Sequence, residues 1–258
     1  MSFTNTILTG KKGLVIGIAN DQSIAAGCAR QFHAAGAELA VTYLSDKARR
    51  FVEPVAEAVD AALLLPLDVE IDGQTEAVFA AVAQKWGKLD FLLHSIAYAP
   101  KEDLHGRVVD SSREGFSMAM DVSVHSFIRM ARLAEPLMKE GGSLLTVSYY
   151  GAEKVVDNYN LMGPVKAALE SVTRYMAAEL GPQGIRVNAI SPGPLQTRAA
   201  SGIGHFDALI DEARARAPIR RLVTIEEVGA MATYLVSDLS RSVMGNIAYI
   251  DGGYHVMS

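Results

Sequence analysis

The chain has 258 residues, 50% of them hydrophobic, and a formal net charge of −5 at pH 7. This length allows one large domain with a substantial core, and the acidic balance, with no basic stripe, argues against nucleic acid as a partner. No window approaches the roughly 18 apolar residues of a membrane span, and no signal-peptide pattern begins the chain. The single cysteine, Cys28, excludes a disulfide framework and points to a reducing compartment. The sequence therefore predicts a soluble, cytoplasmic protein without a membrane or nucleic-acid partner.

Short apolar runs alternate with amphipathic helical patterns along the whole chain. The predicted strands are 14–16, 39–43, 62–66, 89–93, 143–147, 185–190 and 247–250. The predicted helices include 22–35, one with Phe51, Val55 and Val59 at every fourth position, 75–86, and one from about Asn158. This alternation is typical of βαβ units, and neither a linker nor a repeat interrupts it. We therefore predict an α/β fold, a single doubly wound (Rossmann-like) domain over 1–258 with about seven parallel strands and helices on both faces.

In such a sheet ligands bind beyond the carboxyl ends of the strands, so the end of the first strand is the first candidate site. There the chain reads GIANDQSIAAG from Gly17, which departs from the usual G-x-G-x-x-G dinucleotide fingerprint. Gly17 can supply a tight turn, Ser23 can cap the next helix, and Gly27 can let that helix pack closely on the sheet. The amides of Ser23 and Ile24 then lie at a helix N-terminus, which favours a pyrophosphate. An ordinary strand–loop–helix turn explains these residues equally well.

The ends of the next three strands have the chemistry of a dinucleotide site. Leu44 follows the second strand, where a carboxylate would hold a ribose 2′-hydroxyl and an arginine would accept a 2′-phosphate. Asp68, followed by Val69, ends the third strand and can accept a hydrogen bond from the adenine amino group. The residues after the fourth strand are small and apolar enough for a nicotinamide ribose to lie against, namely Ser95, Ile96 and Ala97. Because four strand ends agree, the dinucleotide hypothesis is favoured over four ordinary loops.

A tyrosine–lysine pair follows the fifth predicted strand. Tyr159 and Lys166 are seven residues apart on the expected helix, close to two turns, so both side chains share a face. Tyrosine, with a pKa of about 10, is a poor acid unless a cation favours its phenolate, which Lys166 can do. Such a spacing is common by chance. Its place after the fifth strand of a dinucleotide fold, with Tyr149 at the strand tip, makes the pair the candidate catalytic centre.

Several motifs together resemble one known superfamily. They are HSIA at 94–97, a Tyr-x6-Lys spacing with another tyrosine ten residues upstream, and NAISPGP at 188–194. With the glycine loop after the first strand, they resemble the short-chain dehydrogenase/reductase superfamily. Within it they are similar to the divergent branch, the bacterial enoyl-(acyl-carrier-protein) reductases of type II fatty acid synthesis, over essentially the whole chain. Ordinary members carry Tyr-x3-Lys and a serine where this chain has Tyr149.

The resemblance implies that a nicotinamide cofactor delivers hydride to C3 of a trans-2-enoyl thioester carried by acyl carrier protein. Tyr159 would donate a hydrogen bond to the thioester oxygen, Lys166 would hold the cofactor ribose, and Tyr149 would assist or else serve only as a core aromatic. NADH is favoured because Leu44 offers nothing to a phosphate, but Lys47 and Arg49 leave NADPH open. Cofactor contacts are expected from Gly17, Ala19, Ser23, Ile24, Leu44, Asp68, Val69, Ser95, Ile96, Ala97, Lys166, Leu195 and Thr197. Substrate contacts are expected from Tyr98, Ala99, Tyr149, Tyr159, Ile203 and Phe206.

The seven-residue spacing suits an enoyl thioester, in which the oxygen that gains charge lies two carbons from the carbon that accepts hydride. A helix rise of 1.5 Å per residue would place the Tyr159 hydroxyl about 4.5 Å farther from Lys166 than a spacing of four does. The spacing therefore disfavours a ketone-reducing short-chain dehydrogenase, such as a 3-oxoacyl reductase. The other alternative, a non-catalytic NAD(P) sensor, is disfavoured because a sensor needs neither residue.

The segment 197–217, with Gly202 and Gly204, is predicted to be a mobile substrate lid. The basic side chains after its glycines are Arg214, Arg216, Arg220 and Arg221. The first two are candidate docking groups for the acidic carrier protein. The last two precede a capping box, Thr224-x-x-Glu227, and are candidates to pair with its acid. The six histidines lack metal-ligand spacing, so no metal is expected, and the resemblance implies a homotetramer.

Overall fold

The seven predicted strands form one parallel sheet, as expected. The computed structural model describes residues 6–195 and 206–257, the side chains of 206–209 excepted. The sheet order is β3-β2-β1-β4-β5-β6-β7, with strands β1 (Lys12–Ile16), β2 (Glu38–Tyr43), β3 (Leu63–Pro66), β4 (Phe91–His94), β5 (Gly142–Val147), β6 (Ile185–Pro192) and β7 (Ile247–Ile250). The helices are α1 (Ile24–Ala34), α2 (Asp46–Ala58), α3 (Gln74–Trp86), α4 (Lys101–His105), α5 (Arg113–Met120), α6 (Ser126–Ala134), α7 (Met162–Leu180), α8 (Phe206–Arg216) and α9 (Ile225–Val236).

Helices cover both faces of the sheet, which explains why the strands are continuous apolar runs and do not alternate with polar residues. One core contains Phe79 of α3, Phe127 of α6 and Leu169 of α7, and the other contains Phe32 of α1 and helices α2 and α9. The predicted doubly wound α/β fold is confirmed. In the part of the chain that the structure describes, no helix has the length and apolarity needed to cross a membrane.

The prediction for Gly27 is wrong, because the partner that it approaches closely is a helix and not the sheet. A Cβ at Gly27 would lie 2.5 Å from the carbonyl oxygen of Ile225, at the start of α9. On α9, a Cβ at Gly229 would lie 2.7 Å from the carbonyl oxygen of Gly27. The two glycines therefore allow α1 and α9 to cross in backbone contact, which fixes the position of α1.

The segment between β4 and β5 carries helices that the sequence patterns did not predict. Helix α5 is capped by Ser112, whose hydroxyl accepts from the Gly115 amide at 2.9 Å. A π-helical turn, Asp121–His125, joins α5 to α6 without a break. Such turns are rare and often lie at functional sites, and the change in period that they introduce hides the helix from a search for 3.6-residue spacing.

The ends of β1 and β4 lie side by side at the point where the strand order reverses. Gly17 has φ +100°, and a Cβ there would lie 2.0 Å from the carbonyl oxygen of Ser95. The Ser95 amide in turn donates to the Ile16 carbonyl oxygen at 3.0 Å. The loops after β1 and β4 are therefore in backbone contact, and they border the crevice where doubly wound sheets bind dinucleotides.

Candidate active site

The loop after β1 ends in the predicted helix cap. The Ser23 hydroxyl accepts from the Ala26 amide at 3.3 Å and donates to the Asn20 carbonyl oxygen at 2.7 Å. The Ser23 amide also donates to the Asn20 carbonyl oxygen, at 3.2 Å, so it already has an acceptor inside the loop. Ile24 is the first residue of α1 and brings its amide to the helix N-terminus, where backbone donors favour an anion. Ala19 lies in the same loop, two residues after Gly17.

The β2 and β3 ends place the other predicted adenosine contacts. Leu44 is 61% exposed directly after β2. The Arg49 guanidinium, five residues later, already has partners, because its Nε lies 2.8 Å from Glu53 Oε1 and the group lies over the Tyr43 ring. Asp68 is partly exposed, and its Oδ1 accepts from the Glu70 amide at 3.0 Å. That carboxylate can accept further hydrogen bonds, and an adenine amino group would donate one of them.

The loop after β4 is held by the π-helical turn. The Tyr98 amide donates to Ser123 Oγ at 3.0 Å, and that hydroxyl donates back to the Tyr98 carbonyl oxygen at 3.1 Å. The Tyr98 ring is 48% exposed, while Ala99 is buried. Between them and β4 lie the partly buried Ser95 and Ile96 and the exposed Ala97. Ser123 therefore fixes the backbone of the loop whose side chains were predicted to contact cofactor and substrate.

His94 closes β4 with a fully buried hydrogen-bond network. Its Nδ1 lies 2.9 Å from Thr146 Oγ1, and its Nε2 lies 2.8 Å from Ser126 Oγ. Ser126 Oγ donates to the Val122 carbonyl oxygen at 2.6 Å, so Nε2 is assigned as the donor to Ser126 and Nδ1 as the acceptor from Thr146. Burial, helped by the positive charge of Lys166, lowers the pKa of His94 to about 3. This histidine is neutral and structural.

Tyr159 does not lie on α7, which corrects the prediction of a helix from about Asn158. The helix begins at Met162, and residues 157–161 form turns. Asn158 and Asn160 have φ values of +64° and +44°, in the left-handed region that an α-helix excludes but asparagine tolerates. Asn160 Nδ2 also donates to the Leu104 carbonyl oxygen at 2.9 Å, which ties the turn to α4. The argument from helix rise therefore does not apply to the Tyr159–Lys166 separation.

Tyr149 and Tyr159 nevertheless meet, because the chain returns to the end of β5. Their rings lie 4.7 Å apart, centroid to centroid, in an edge contact with an interplanar angle of 63°. Gly151 allows this approach, since a Cβ there would lie 2.5 Å from Tyr159 Cδ1. Both side chains are at least partly buried, and burial raises the pKa of each phenol above its usual value. Both hydroxyls therefore stay protonated at neutral pH and can donate hydrogen bonds.

The Tyr149 hydroxyl is buried, and it has no hydrogen-bond partner among the residues that the structure describes. A buried polar group in that condition costs stability unless something else satisfies it. A bound ligand atom would satisfy it, and this favours a substrate contact over the alternative of a core aromatic.

Lys166 is 5% exposed, on the second turn of α7. Its Nζ donates to the Val147 carbonyl oxygen, the last residue of β5, at 2.6 Å. Burial lowers the pKa of Lys166 to about 8, against the opposing effect of the Glu170 carboxylate. An ammonium has three donors, so further donors are available for hydroxyl groups of a ligand.

The remaining predicted contacts are only partly within the described residues. Leu195 is buried after β6, beside a cleft of about 240 Å³ that Gln22, Thr224 and Ile225 also line. Thr197 and Ile203 lie outside the described residues, and Phe206 is described only by its backbone, at the start of α8. The C-terminal part of the predicted lid packs through α8, where Ala213 and Ala217 contact Tyr254.

The comparisons with known proteins agree with this geometry. The profile of a family described as enoyl-(acyl carrier protein) reductase matches residues 17–255. The chain belongs to this family. An NADH-type enoyl-(acyl-carrier-protein) reductase of Rhizobium meliloti is 48% identical over 100% of this chain and 94% of its own length. One from Synechocystis is 50% identical over 97% of this chain and 98% of its own length.

Solved structures of such reductases superimpose on the whole sheet. The enzyme of Anaplasma phagocytophilum, crystallised with NAD, has a TM-score of 0.94 at 47% identity, over 98% of this chain and 97% of its own. The enzyme of Bacillus cereus, crystallised with NADP+ and an indole naphthyridinone, has a TM-score of 0.95 at 45% identity, over 98% and 99% of the two chains. The family resemblance predicted from the motifs is confirmed.

Some polar residues of this reductase site were missed from the sequence. Ser123 and Ser126 hold the end of β4, and Ser148 donates from its Oγ to Glu170 Oε1 at 2.6 Å beneath the tyrosines. Serines of this kind carry no signal of their own, since their roles depend on partners 22 to 32 positions away. Glu170 could have been singled out, because it lies one helical turn after Lys166 in an otherwise apolar stretch.

Proposed function

We propose that this reductase uses NADH to reduce the trans-2 double bond of an enoyl thioester carried on acyl carrier protein, as a step of type II fatty acid synthesis. The observation that carries the proposal is the edge contact, at the end of β5, between the buried Tyr159 and the partly buried Tyr149, where the buried Lys166 also donates. This group borders the crevice beside β1 and β4, where the Gly17 turn and the start of α1 fit a dinucleotide.

The residues of the chain have distinct roles in that reaction. The cofactor, when bound, supplies the hydride that adds to C3 of the thioester. Tyr159 donates a hydrogen bond to the thioester oxygen as negative charge develops there, which is stabilisation by a preorganised donor. The Lys166 ammonium holds the ribose hydroxyls and favours the developing phenolate of Tyr159. Tyr149, whose hydroxyl is buried without a partner among the described residues, contacts the thioester beside Tyr159.

The position of Tyr159 in a turn supports an enoyl acceptor over a ketone. The turn before α7 detaches the tyrosine from the helix that carries Lys166, so the hydroxyl is free to stand over an oxygen remote from the carbon that accepts hydride. We expect the protein to oxidise NADH with a crotonyl thioester and not with an acetoacetyl thioester. Cofactor absorbance at equal enzyme concentration is the measurement. Turnover of the acetoacetyl thioester alone would indicate the ketone reductase, and turnover of neither would indicate the sensor.

NADH should be preferred to NADPH. Leu44 is exposed directly after β2, and Arg49 is held by Glu53 and Tyr43, so neither of these two residues offers a free guanidinium to a 2′-phosphate. We expect kcat/KM to be at least about tenfold higher with NADH. A factor of about ten corresponds to the free energy of one hydrogen bond to a charged group. Leu44→Arg should raise kcat/KM for NADPH, because it places an arginine where a 2′-phosphate would lie. Equal values for the two cofactors in the unmodified protein would contradict the assignment.

The carrier protein is proposed to dock on α8. Arg214 is exposed there, and Arg216 is partly exposed with its guanidinium over the Tyr254 ring. Each is paired with an acid of its own helix, at 3.1 Å from Asp211 and 2.5 Å from Glu212. Such exposed pairs are weak, so both arginines remain available to an acidic partner. By contrast Arg221 binds Glu227 of the capping box through two hydrogen bonds, as predicted, and Arg220 donates to the backbone of Ala215.

Replacing Arg214 and Arg216 with glutamate should raise KM for the carrier-bound substrate roughly tenfold and flatten its salt dependence. KM for the coenzyme A thioester should hardly change. Arg241→Glu is the control, since Arg241 is exposed and paired with an acid three residues away, Asp238, at 3.8 Å. Equal losses on both substrates would mean that the two arginines hold α8 in place.

The assembly and compartment of the protein are further proposals. We expect a homotetramer, in a cytoplasmic setting consistent with the single buried cysteine. Gel filtration with light scattering measures the assembly, and a monomer at micromolar concentration would contradict it.

A further inference from the structure

Two side chains of α7, one turn apart, hold two consecutive residues at the end of β5. Lys166 Nζ donates to the Val147 carbonyl oxygen at 2.6 Å. Glu170 Oε1 accepts from Ser148 Oγ, also at 2.6 Å. The Ser148 amide donates to the Ile190 carbonyl oxygen at 2.7 Å, so this residue is fixed from β6 as well. Tyr149 comes next in the chain, directly after a residue that is held through both its side chain and its amide.

Glu170 is an unusual residue to find in this place. It is 3% exposed, and carboxylates are almost never so buried unless they are paired. Burial raises the pKa of Glu170, while the Ser148 hydrogen bond and the charges of Arg174 and Lys166 act in the opposite direction. In return the carboxylate raises the pKa of Lys166 against the effect of burial. The carboxylate and the ammonium are therefore coupled, although no direct ion pair joins them within the described residues.

We propose that Glu170 is a positioning residue of the reduction, which fixes Ser148 and thereby Tyr149 through its hydrogen bond, and keeps Lys166 in its charged form through its negative charge. The proposal rests on the role assigned above to Lys166. It separates two functions of one carboxylate, a geometric function and an electrostatic function, and each can be removed by a different substitution.

Other groups act on the pair from the surrounding elements. The titratable or charged neighbours are His94 on β4, Glu153 and Tyr159 after β5, Arg174 on α7 and Tyr249 on β7. His94 is neutral at assay pH, and both tyrosines have raised pKa values, so these three carry no charge there. Glu153 and Arg174 are exposed, and solvent screens their charges. Glu170 is therefore the buried negative charge that acts on Lys166.

The sign of the pH effect follows from the lysine. Burial disfavours the ammonium and lowers the pKa of Lys166 to about 8, and Glu170 opposes that change. Glu170→Gln removes the charge but keeps an amide oxygen that can accept from Ser148. The pKa of Lys166 should then fall further, and the alkaline limb of the pH profile for kcat/KM should move to lower pH by about one unit. The pH at which NADH affinity declines, measured by cofactor fluorescence, should shift in the same direction.

Two companion variants separate geometry from charge. Ser148→Ala removes the hydrogen bond and keeps the carboxylate, so it should lower kcat about tenfold and leave the alkaline limb in place. Glu170→Asp keeps the charge on a shorter side chain, so the alkaline limb of its pH profile should stay near that of the unmodified protein. Glu179→Gln is the matched control, an exposed residue of the same helix, and should change neither quantity.

The results have separate meanings for the two proposals. The electrostatic role is overturned if the alkaline limb does not move in Glu170→Gln. It is also overturned if the limb moves as far in Glu170→Asp as it does in Glu170→Gln. A kcat in Ser148→Ala equal to that of the unmodified protein overturns the geometric role. Should the unmodified protein fail to reduce the crotonyl thioester, the proposed function fails, and the pH dependence of NADH affinity in Glu170→Gln still decides the role of Glu170.

Discussion

Replacing Tyr159 with phenylalanine should lower kcat by about 10²–10³-fold, because one preorganised donor to the developing oxyanion is lost. NADH affinity should be nearly unchanged, because the proposed roles give the thioester oxygen to Tyr159 and the cofactor ribose to Lys166. Burial raises the pKa of Tyr159, so its proton is present throughout the assay range. The residual activity should therefore keep the alkaline limb of the unmodified protein. Steady-state kinetics from pH 6 to 9.5 with a crotonyl thioester would measure both quantities.

The same substitution at two other tyrosines provides the comparison. Tyr149→Phe removes the buried hydroxyl that has no partner among the described residues, so it should raise KM for the thioester more than it lowers kcat. Tyr175→Phe, on the exposed surface of α7 at 71% exposure, should change neither. Activity of Tyr159→Phe within a few-fold of the unmodified protein would show that the assigned donor is wrong.

Replacing Lys166 with methionine should weaken NADH binding as well as lower kcat. In the proposed role the ammonium would donate a charged hydrogen bond to the ribose, worth about 1.5–3 kcal/mol, or roughly 10- to 150-fold in the dissociation constant. Methionine is long and apolar enough to fill the buried space that the lysine stem occupies. The fold should persist, because the losses are limited to the hydrogen bond to the Val147 carbonyl oxygen and the charge interaction with Glu170.

Calorimetric titration of NADH into Lys166→Met and Tyr159→Phe measures the cofactor affinity of each variant and so distinguishes the two roles. The lysine variant should lose affinity, and the tyrosine variant should keep it. The thermal unfolding midpoint without cofactor controls for folding. If both variants bind NADH as the unmodified protein does, Lys166 does not hold the ribose, and its effect on rate must come from Tyr159 alone.

The strands could be predicted from the sequence for a local reason. A strand covered on both faces by helices must be apolar throughout, so the runs before Gly17, Leu44 and Ser95 are recognisable without any knowledge of their partners. Parallel strands joined by helices then bring their carboxyl ends to one edge. Caps are equally local, which is why Ser23 and the Thr224–Glu227 box were found where predicted.

The catalytic group could be predicted only in part. The identities of Tyr159 and Lys166 follow from their spacing and from the family motifs, but the start of α7 does not. Helical periodicity continues through residues 158–161, but Asn158 and Asn160 adopt positive φ there, and the side chain of Asn160 binds the Leu104 carbonyl oxygen of α4. A contact across more than 50 residues decided the conformation of a local segment.

By itself the sequence determined the α/β class and the family, and it singled out the strand ends, the tyrosine and the lysine that we propose for the reaction. These depend on side-chain type and on short spacings, which are properties of the sequence and need no contact between distant segments. Only the tertiary structure decided that Gly27 meets α9, that Ser123 holds the Tyr98 backbone, and that Ser148 joins Glu170 beside Lys166. Each is a contact between distant segments. The first needs only the absence of a side chain where two helices cross, and the other two form because a polar group that burial removes from water must bind the donor or acceptor that the fold supplies.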